Sequence, residues 1–249
     1  VHGGAVGADG GPLLKTLREA GVDTERILEV EGVSGHAMIQ VDTAGQNNIL
    51  IFGGANDRLT PEYIRKLTSG FGSGDLCLLQ NETSHVAEAI KEAKKQGMQV
   101  AFNPSPITQG VMDLPLELVD IFLVNEIEAL ALAGQEGGQE PAFEVKETRE
   151  RLRKQYPGAL FVLTMGEKGV FAFDSAQEYF VPSHPVEAVD TTAAGDTFCG
   201  YFLAAKLEGK DLLSSLKLAN GAAALSVTEK GAAPSIPVGA RVKAFLEKC

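Results

Sequence analysis

The chain has 249 residues, 44% of them hydrophobic, and a formal charge of 22 − 33 = −11, enough apolar material for one large α/β domain or two small ones. So acidic a chain, with no Lys/Arg block, does not track nucleic-acid phosphates through its overall field, and its apolar runs fall well short of the ~20 residues a membrane span needs. Three cysteines (Cys77, Cys199, Cys249) with no Cys-x-x-Cys pair argue against a disulfide framework, so a cytoplasmic location is expected.

In chain order, "VHGGAV" reads as the end of a strand entering a turn, and "PLLKTLREAG" as a helix with Leu13, Leu14 and Leu17 on one face. "HAMIQVD" and "NNILIF", separated by "TAGQ", predict a β-hairpin. "PEYIRKLTSG" predicts a helix opened by Pro61 and capped by Thr60. Then the pattern becomes regular. "DLCLLQ", "MQVAFN", "DIFLVN" and "ALFVLTMG" are short apolar strands. "SHVAEAIKEAKKQG", ended by Gly97, "EIEALALAG" and "VKETRERLRKQYPG" are helices, with the loop Gly134–Pro141 between the last two. Apolar strands alternating with helices of this length indicate an α/β fold with a mostly parallel central sheet and helices on both faces. "GVFAFD" and "EYFVP" add an antiparallel pair, and the end is helical: "TFCGYFLAAKLEG", "LLSSLKLANGAAALSVTEKG" and "VGARVKAFLEK".

In such sheets ligands bind at the carboxyl ends of the strands. The residues there are Gln80–Glu82, Asn103–Ser105, Asn125–Glu128, Thr164–Gly169 and Asp190–Asp196, all polar or glycine-rich, which points to an enzyme. The most telling segment is "DTTAAGDTFCG", Asp190–Gly200. Small residues running into a helix expose backbone N–H groups that no intrahelical carbonyl satisfies, and these donors suit phosphate oxygens. Ala193, Ala194 and Gly195 carry no bulk to keep a phosphate away. Asp196 repels phosphate, so its place beside an anion cradle makes sense if it takes the proton of an attacking hydroxyl. Close packing of small residues at a helix start is the plainer alternative for an isolated "AAGD".

Other motifs are weaker alone. Asn125 and Glu128 read as a helix cap before they read as metal ligands. "TMGEKG" reads as a turn between strands. No GxxxxGK[ST] is present, and no GxGxxG follows a strand, which lowers a P-loop kinase and a nicotinamide-dependent oxidoreductase. His2, His36, His85 and His184 have no metal-ligand spacing and are expected at the surface or in loops. Cys199 is expected to pack rather than attack, and Leu123 and Val124 to lie in the core.

"DTTAAGDTFCG" closely resembles the second signature of the ribokinase-like (phosphofructokinase-B-type) carbohydrate kinases. "GAVGADGGP", "GQNNILIFGGAND", "LLQNE", "FNPSP", "NEIEA", "TMGEKG" and "GAAPSIP" agree in the family's order, and the set lies nearest to its D-ribose kinases. The resemblance implies a three-layer fold over 1–249 as a single kinase domain, with 36–53 forming part of a small β lid. It implies Asp196 as the base acting on the sugar's primary hydroxyl, with the amides of Ala193, Ala194, Gly195 and Asp196 as the anion hole. Asn125 and Glu128 match an N-x-x-E motif that organises Mg²⁺ and the ATP phosphates. Thr164, Gly166, Glu167, Lys168 and Gly169 lie on the ATP loop, and Asn220 at the adenine. Glu82 matches a sugar contact. Asp190, Thr192, Ser226, Glu229, Gly231 and Ser235 match a monovalent-cation site, usually K⁺. ATP and a small sugar are the implied partners, with neither nucleic acid nor membrane, and lids of this kind pair two subunits.

The family's usual amino-terminal Asn-x-Asp and "GGKGAN"-like stretches, which hold the sugar, do not occur in these 249 residues, so the domain is expected to be incomplete at that end. The function expected is transfer of the ATP γ-phosphate to a pentose, D-ribose to D-ribose 5-phosphate. The alternatives are a truncated or degenerate nucleotide-binding homologue without turnover, and a kinase of another sugar or a nucleoside.

Overall fold

The computed structural model describes residues 1–41, 47–135 and 144–248, and the chain divides into two units, Val1–Val119 and Asp120–Cys249. In the first, β1 (Gly4–Val6) is followed by α1 (Gly11–Glu19) and pairs in parallel with β2 (Ile27–Glu29). β2 is an element the sequence pattern does not announce, because three residues show no periodicity. In α1 Leu14 is buried and Leu17 half-buried, but Leu13 is 50% exposed. The packed stripe of this short helix is therefore narrower than its apolar one.

The predicted hairpin forms from β3 (His36–Val41) and β4 (Asn47–Phe52), antiparallel with His36 opposite Phe52. Its "TAGQ" connection, 43–46, lies outside the described residues. Strand geometry stops at Phe52, and Gly54–Arg58 winds into a 3₁₀ turn. α2 (Pro61–Thr68) starts as the sequence predicts: Thr60 Oγ1 accepts the Tyr63 N–H at 3.1 Å, with Pro61 in the first turn. The Tyr63 hydroxyl accepts the Gly4 N–H at 2.7 Å and donates to the Arg26 carbonyl at 2.6 Å. One side chain thus ties α2 both to β1 and to the chain entering β2. Burial pushes this phenol's pKa up. Tyr63 packs with Ala5, Ala55, Leu59, Ile64 and Ala89.

β5 (Leu76–Gln80), α3 (Val86–Lys95) and β6 (Gln99–Asn103) complete this unit, with β5 and β6 parallel. The strand–helix–strand order needs a crossover, and α3 supplies it. Both strands therefore end on the same side, so the turns after Gln80 and Asn103 are neighbours.

The second unit opens with β7 (Ile121–Asn125), α4 (Glu126–Leu132) and α5 (Val145–Gln155). Residues 136–141 of the expected loop lie outside the described set. β8 (Leu160–Thr164) runs parallel to β7, and β9 (Val170–Phe173) and β10 (Glu178–Val181) continue antiparallel, as the sequence predicts. Phe122 on β7, Phe161 on β8 and Phe173 on β9 stack ring on ring, with centroids 4.8 and 5.2 Å apart. That column fixes the register of three strands, and so the height at which the turns after Asn125 and Thr164 emerge. Leu123 and Val124 are buried. α6 (Ala194–Leu207), α7 (Leu212–Ser226) and α8 (Gly239–Leu246) close the chain, with α6 packed along α7. Asp211 caps α7, its Oδ1 accepting the Ser214 N–H at 2.8 Å. Among the described residues no helix is long and apolar enough to cross a membrane.

Candidate active site

The start of α6 departs from the sequence expectation in a useful way. The helix begins at Ala194 rather than near Thr197, so Asp196 is a first-turn residue. Ala193, at the N-cap, is left-handed with φ +59°. For alanine that conformation costs about 1–2 kcal/mol, so the surroundings must hold it. No side chain caps the helix. Ala194 N–H reaches the Thr191 carbonyl at 3.3 Å and Thr197 N–H the Ala193 carbonyl at 2.9 Å. Gly195 N–H has no acceptor among the described residues, and a Cβ added there would meet nothing within 4 Å. Two residues on, the buried Thr197 Oγ1 also has no partner among the described residues. An exposed helix start with a bare Gly195 amide, open space and a first-turn carboxylate fits an anion at that amide.

Asp190 fastens the loop in front of this helix. Its Oδ1 accepts the Thr192 N–H and its Oδ2 the Gly231 N–H, both at 2.9 Å. The Thr192 side chain, then the Gly231 and Thr192 amides, hold its pKa down at about 2. The Val227 carbonyl accepts the Val189 and Asp190 N–H groups at 2.7 and 3.1 Å. The segment 189–192 is thus stitched to 227–231. Of the other predicted cation-site residues, Ser226 and Ser235 are buried, with hydroxyls turned to their local carbonyls of Ala223 and Ala232. Glu229 directs its carboxylate to Arg241, 2.7 Å away. The structure therefore joins Asp190, Thr192 and Gly231 by hydrogen bonds, while the Glu229 side chain is engaged elsewhere.

Asn125 and Glu128 form a full capping box. Asn125 Oδ1 accepts the Glu128 N–H and Glu128 Oε2 accepts the Asn125 N–H, both at 2.9 Å. The plainer sequence reading of this pair is thus realised. Asn125→Ala should cost about 1 kcal/mol of stability, checked by urea unfolding. Glu128 is only 4% exposed. The Cys199 thiol is pushed up to about 12, first by burial and then by the charges of Asp196 and Glu128. Cys199 is therefore a packed thiol rather than a nucleophile.

The segment Thr164–Gly169 leaves β8 through a 3₁₀ turn, Gly166–Lys168. Thr164 Oγ1 donates to the Val124 carbonyl at 3.3 Å and Met165 N–H to the Gly169 carbonyl at 2.8 Å. Gly169 has φ +116°, and a Cβ there would sit 2.2 Å from the Val181 carbonyl oxygen, so only glycine fits. Lys168 pairs with Glu126 at 2.9 Å, tying this turn to the start of α4. No local pattern marks that link, since the partners are 42 residues apart. Asn220, buried on α7, donates its Nδ2 to the Pro182 carbonyl at 2.7 Å. All these residues belong to the second unit. Glu82 belongs to the first, exposed in the turn after β5.

Comparison with known proteins decides the family, for residues 2–238 match the pfkB family carbohydrate kinases. The chain belongs to that family. This pfkB kinase is 38% identical over 240 residues to the ribokinase of Haemophilus influenzae, covering 94% of the chain and 77% of that relative. It is 34% identical over 229 residues to the deoxyribokinase of Salmonella typhi, covering 90% and 73%. The structure of Arabidopsis thaliana ribokinase complexed with ribose and ATP matches it with a TM-score of 0.80 and 29% identity, over 98% of the chain and 81% of that structure. The pfkB kinase therefore has the expected ribokinase-like α/β fold, and it is an enzyme, a carbohydrate kinase.

Proposed function

We propose that this kinase transfers the γ-phosphoryl group of ATP to the 5-hydroxyl of D-ribose. The observation that carries the reading is the start of α6, where the bare Gly195 amide adjoins a first-turn carboxylate. The amides of Ala193–Asp196 receive the charge on the transferring phosphoryl oxygens. Asp196 accepts the proton of the attacking hydroxyl as its oxygen bonds the γ-phosphorus. The bond to the β–γ bridging oxygen breaks, and ADP leaves with the electron pair. Thr164, Gly166, Glu167, Lys168, Gly169 and Asn220 form the nucleotide side, and Glu82 contacts the sugar.

Mg²⁺ is implied by the family. Its hard oxygen preference fits the carboxylate of Glu128 and the carbonyl oxygen of Asn125, and it would neutralise phosphate charge. A K⁺ site from Asp190, Thr192, Ser226, Glu229, Gly231 and Ser235 belongs to the same reading. With its carboxylate on Arg241, Glu229 would contribute its main-chain carbonyl to that site. The reading includes a cytoplasmic enzyme that pairs two copies through the hairpin β3–β4.

Likeness to the Haemophilus ribokinase supports ribose, and likeness to the Salmonella deoxyribokinase favours a second reading, 2-deoxy-D-ribose. A panel of pentoses and hexoses with MgATP tests both. D-Ribose should exceed its 2-deoxy analogue in kcat/KM by about tenfold or more, since a site built around a hydroxyl rejects a substrate lacking it. The reverse order establishes the second reading. ATP binding without phosphorylation of any sugar leaves a nucleotide-binding homologue.

A further inference from the structure

We infer that Ser84 is a positioning residue for the sugar site, coupling the root of the β3–β4 hairpin to the turn that carries Glu82. The inference rests on the reading of Glu82 as a sugar contact. The turn joins β5 to α3 and is fastened on two sides. On one, Asn81 N–H donates to the Ser105 carbonyl at 3.0 Å and Asn81 Nδ2 to the Pro106 carbonyl at 2.7 Å, holding the turn to the loop after β6. On the other, Ser84 N–H and Ser84 Oγ both address the Asn56 carbonyl, at 3.1 and 3.2 Å. The same hydroxyl lies 3.2 Å from the Leu59 carbonyl, and its one proton is shared between the two.

Asn56 is the residue on which the two ends of the hairpin meet. Its N–H donates to the Gly53 carbonyl at 2.9 Å, just past β4. Gly35, just before β3, lies so close that a Cβ there would fall 2.5 Å from Asn56 Nδ2 and 2.8 Å from the Gly53 carbonyl. A shift of the hairpin root therefore moves Asn56, and Asn56 moves Ser84. A local role for Ser84 is poorly supported. A serine beside a helix start ordinarily accepts from the first-turn amides, yet α3 has no side-chain cap and Ser84 donates away from it. Its successor His85 is held left-handed at φ +62°, so the turn has little freedom to relax independently. Between the two fastenings sits Glu82.

Steady-state kinetics and calorimetric sugar titration on the full chain test this, with the preferred sugar of the panel and MgATP. Ser84→Ala keeps the N–H bond and loses the hydroxyl. It should raise the sugar KM and Kd by about 5–10-fold, a fraction of what full misplacement costs. KM for ATP and kcat should stay within about twofold, and Ser84→Thr should restore the sugar KM. On a Glu82→Gln background, Ser84→Ala should add less than about twofold, because it acts through the carboxylate already removed. If Glu82→Gln raises the sugar KM and Ser84→Ala does not, the coupling is wrong and the Glu82 reading stands. If Glu82→Gln is silent, both are wrong. Additive effects, or equal rises in both KM values, make Ser84 a structural residue and overturn the proposal. Should Ser84→Ala not fold, Ser84→Cys, with its weaker donor, is judged by the same outcomes.

Discussion

Asp196→Asn is expected to abolish sugar phosphorylation while ATP still binds. Asparagine keeps the size and one acceptor oxygen but cannot take the proton of the attacking hydroxyl. A positioned base is worth about 10²–10⁴-fold, and phosphoryl transfer offers the protein little besides positioning and electrostatics, so the loss falls on kcat. The helix start should survive, since Ala193 carries the turn and the Thr197 N–H still reaches the Ala193 carbonyl. Removing a negative charge beside the triphosphate should leave ATP affinity unchanged or slightly tighter. A coupled ADP-release assay with calorimetric nucleotide titration separates the two quantities. Turnover within tenfold of the parent would remove Asp196 from the role of base, and lost ATP binding would show that the substitution disrupts the cradle.

What the sequence revealed was whatever depends on local pattern. Apolar strands such as "IFLVN" and "LFVLT", the Thr60–Pro61 helix start and the Gly97 stop each carry their signal within a few residues, and each forms where the pattern puts it. β2 escaped because "ILE" is too short for a period, and what supports it is Tyr63, 37 residues from Arg26. The left-handed Ala193 escaped for the opposite reason. Alanine is the best helix former, so nothing in its identity announces a strained N-cap. The Asn125–Glu128 pair shows how one motif can hold two meanings: the spacing that makes a capping box is the spacing of the family's N-x-x-E. The structure shows the capping box at the end of β7, and the second meaning belongs to the proposed function. Pairings such as Lys168 with Glu126 and Ser84 with Asn56 lie beyond any local window, which is why the ties that set geometry emerged only with the fold.

Asp190→Ala should lower kcat/KM by about 10- to 100-fold, the range expected when a catalytic loop drifts by up to an ångström. The carboxylate holds Thr192 N–H with one oxygen and Gly231 N–H with the other, so its loss frees the segment that sets the left-handed Ala193 and, through it, the α6 amides. Asp190→Asn should recover part of the activity, since its amide retains one acceptor oxygen but turns an NH₂ toward an N–H donor. The pH dependence has a definite sign. With its folded pKa depressed from 3.8 to about 2, the carboxylate contributes stability that is fully present above 3.8 and is lost as pH falls toward 2. Between pH 5 and 9 the clamp is therefore constant, and no limb of the pH–rate profile should belong to Asp190. Salt dependence separates clamp from ion. If the oxygens around 190–192 and 226–235 also hold K⁺, the parent enzyme should run faster in K⁺ than in Na⁺, and Asp190→Ala should run equally in both. A parent indifferent to the cation would remove the ion and leave the clamp, whereas full activity in Asp190→Ala would remove the clamp itself.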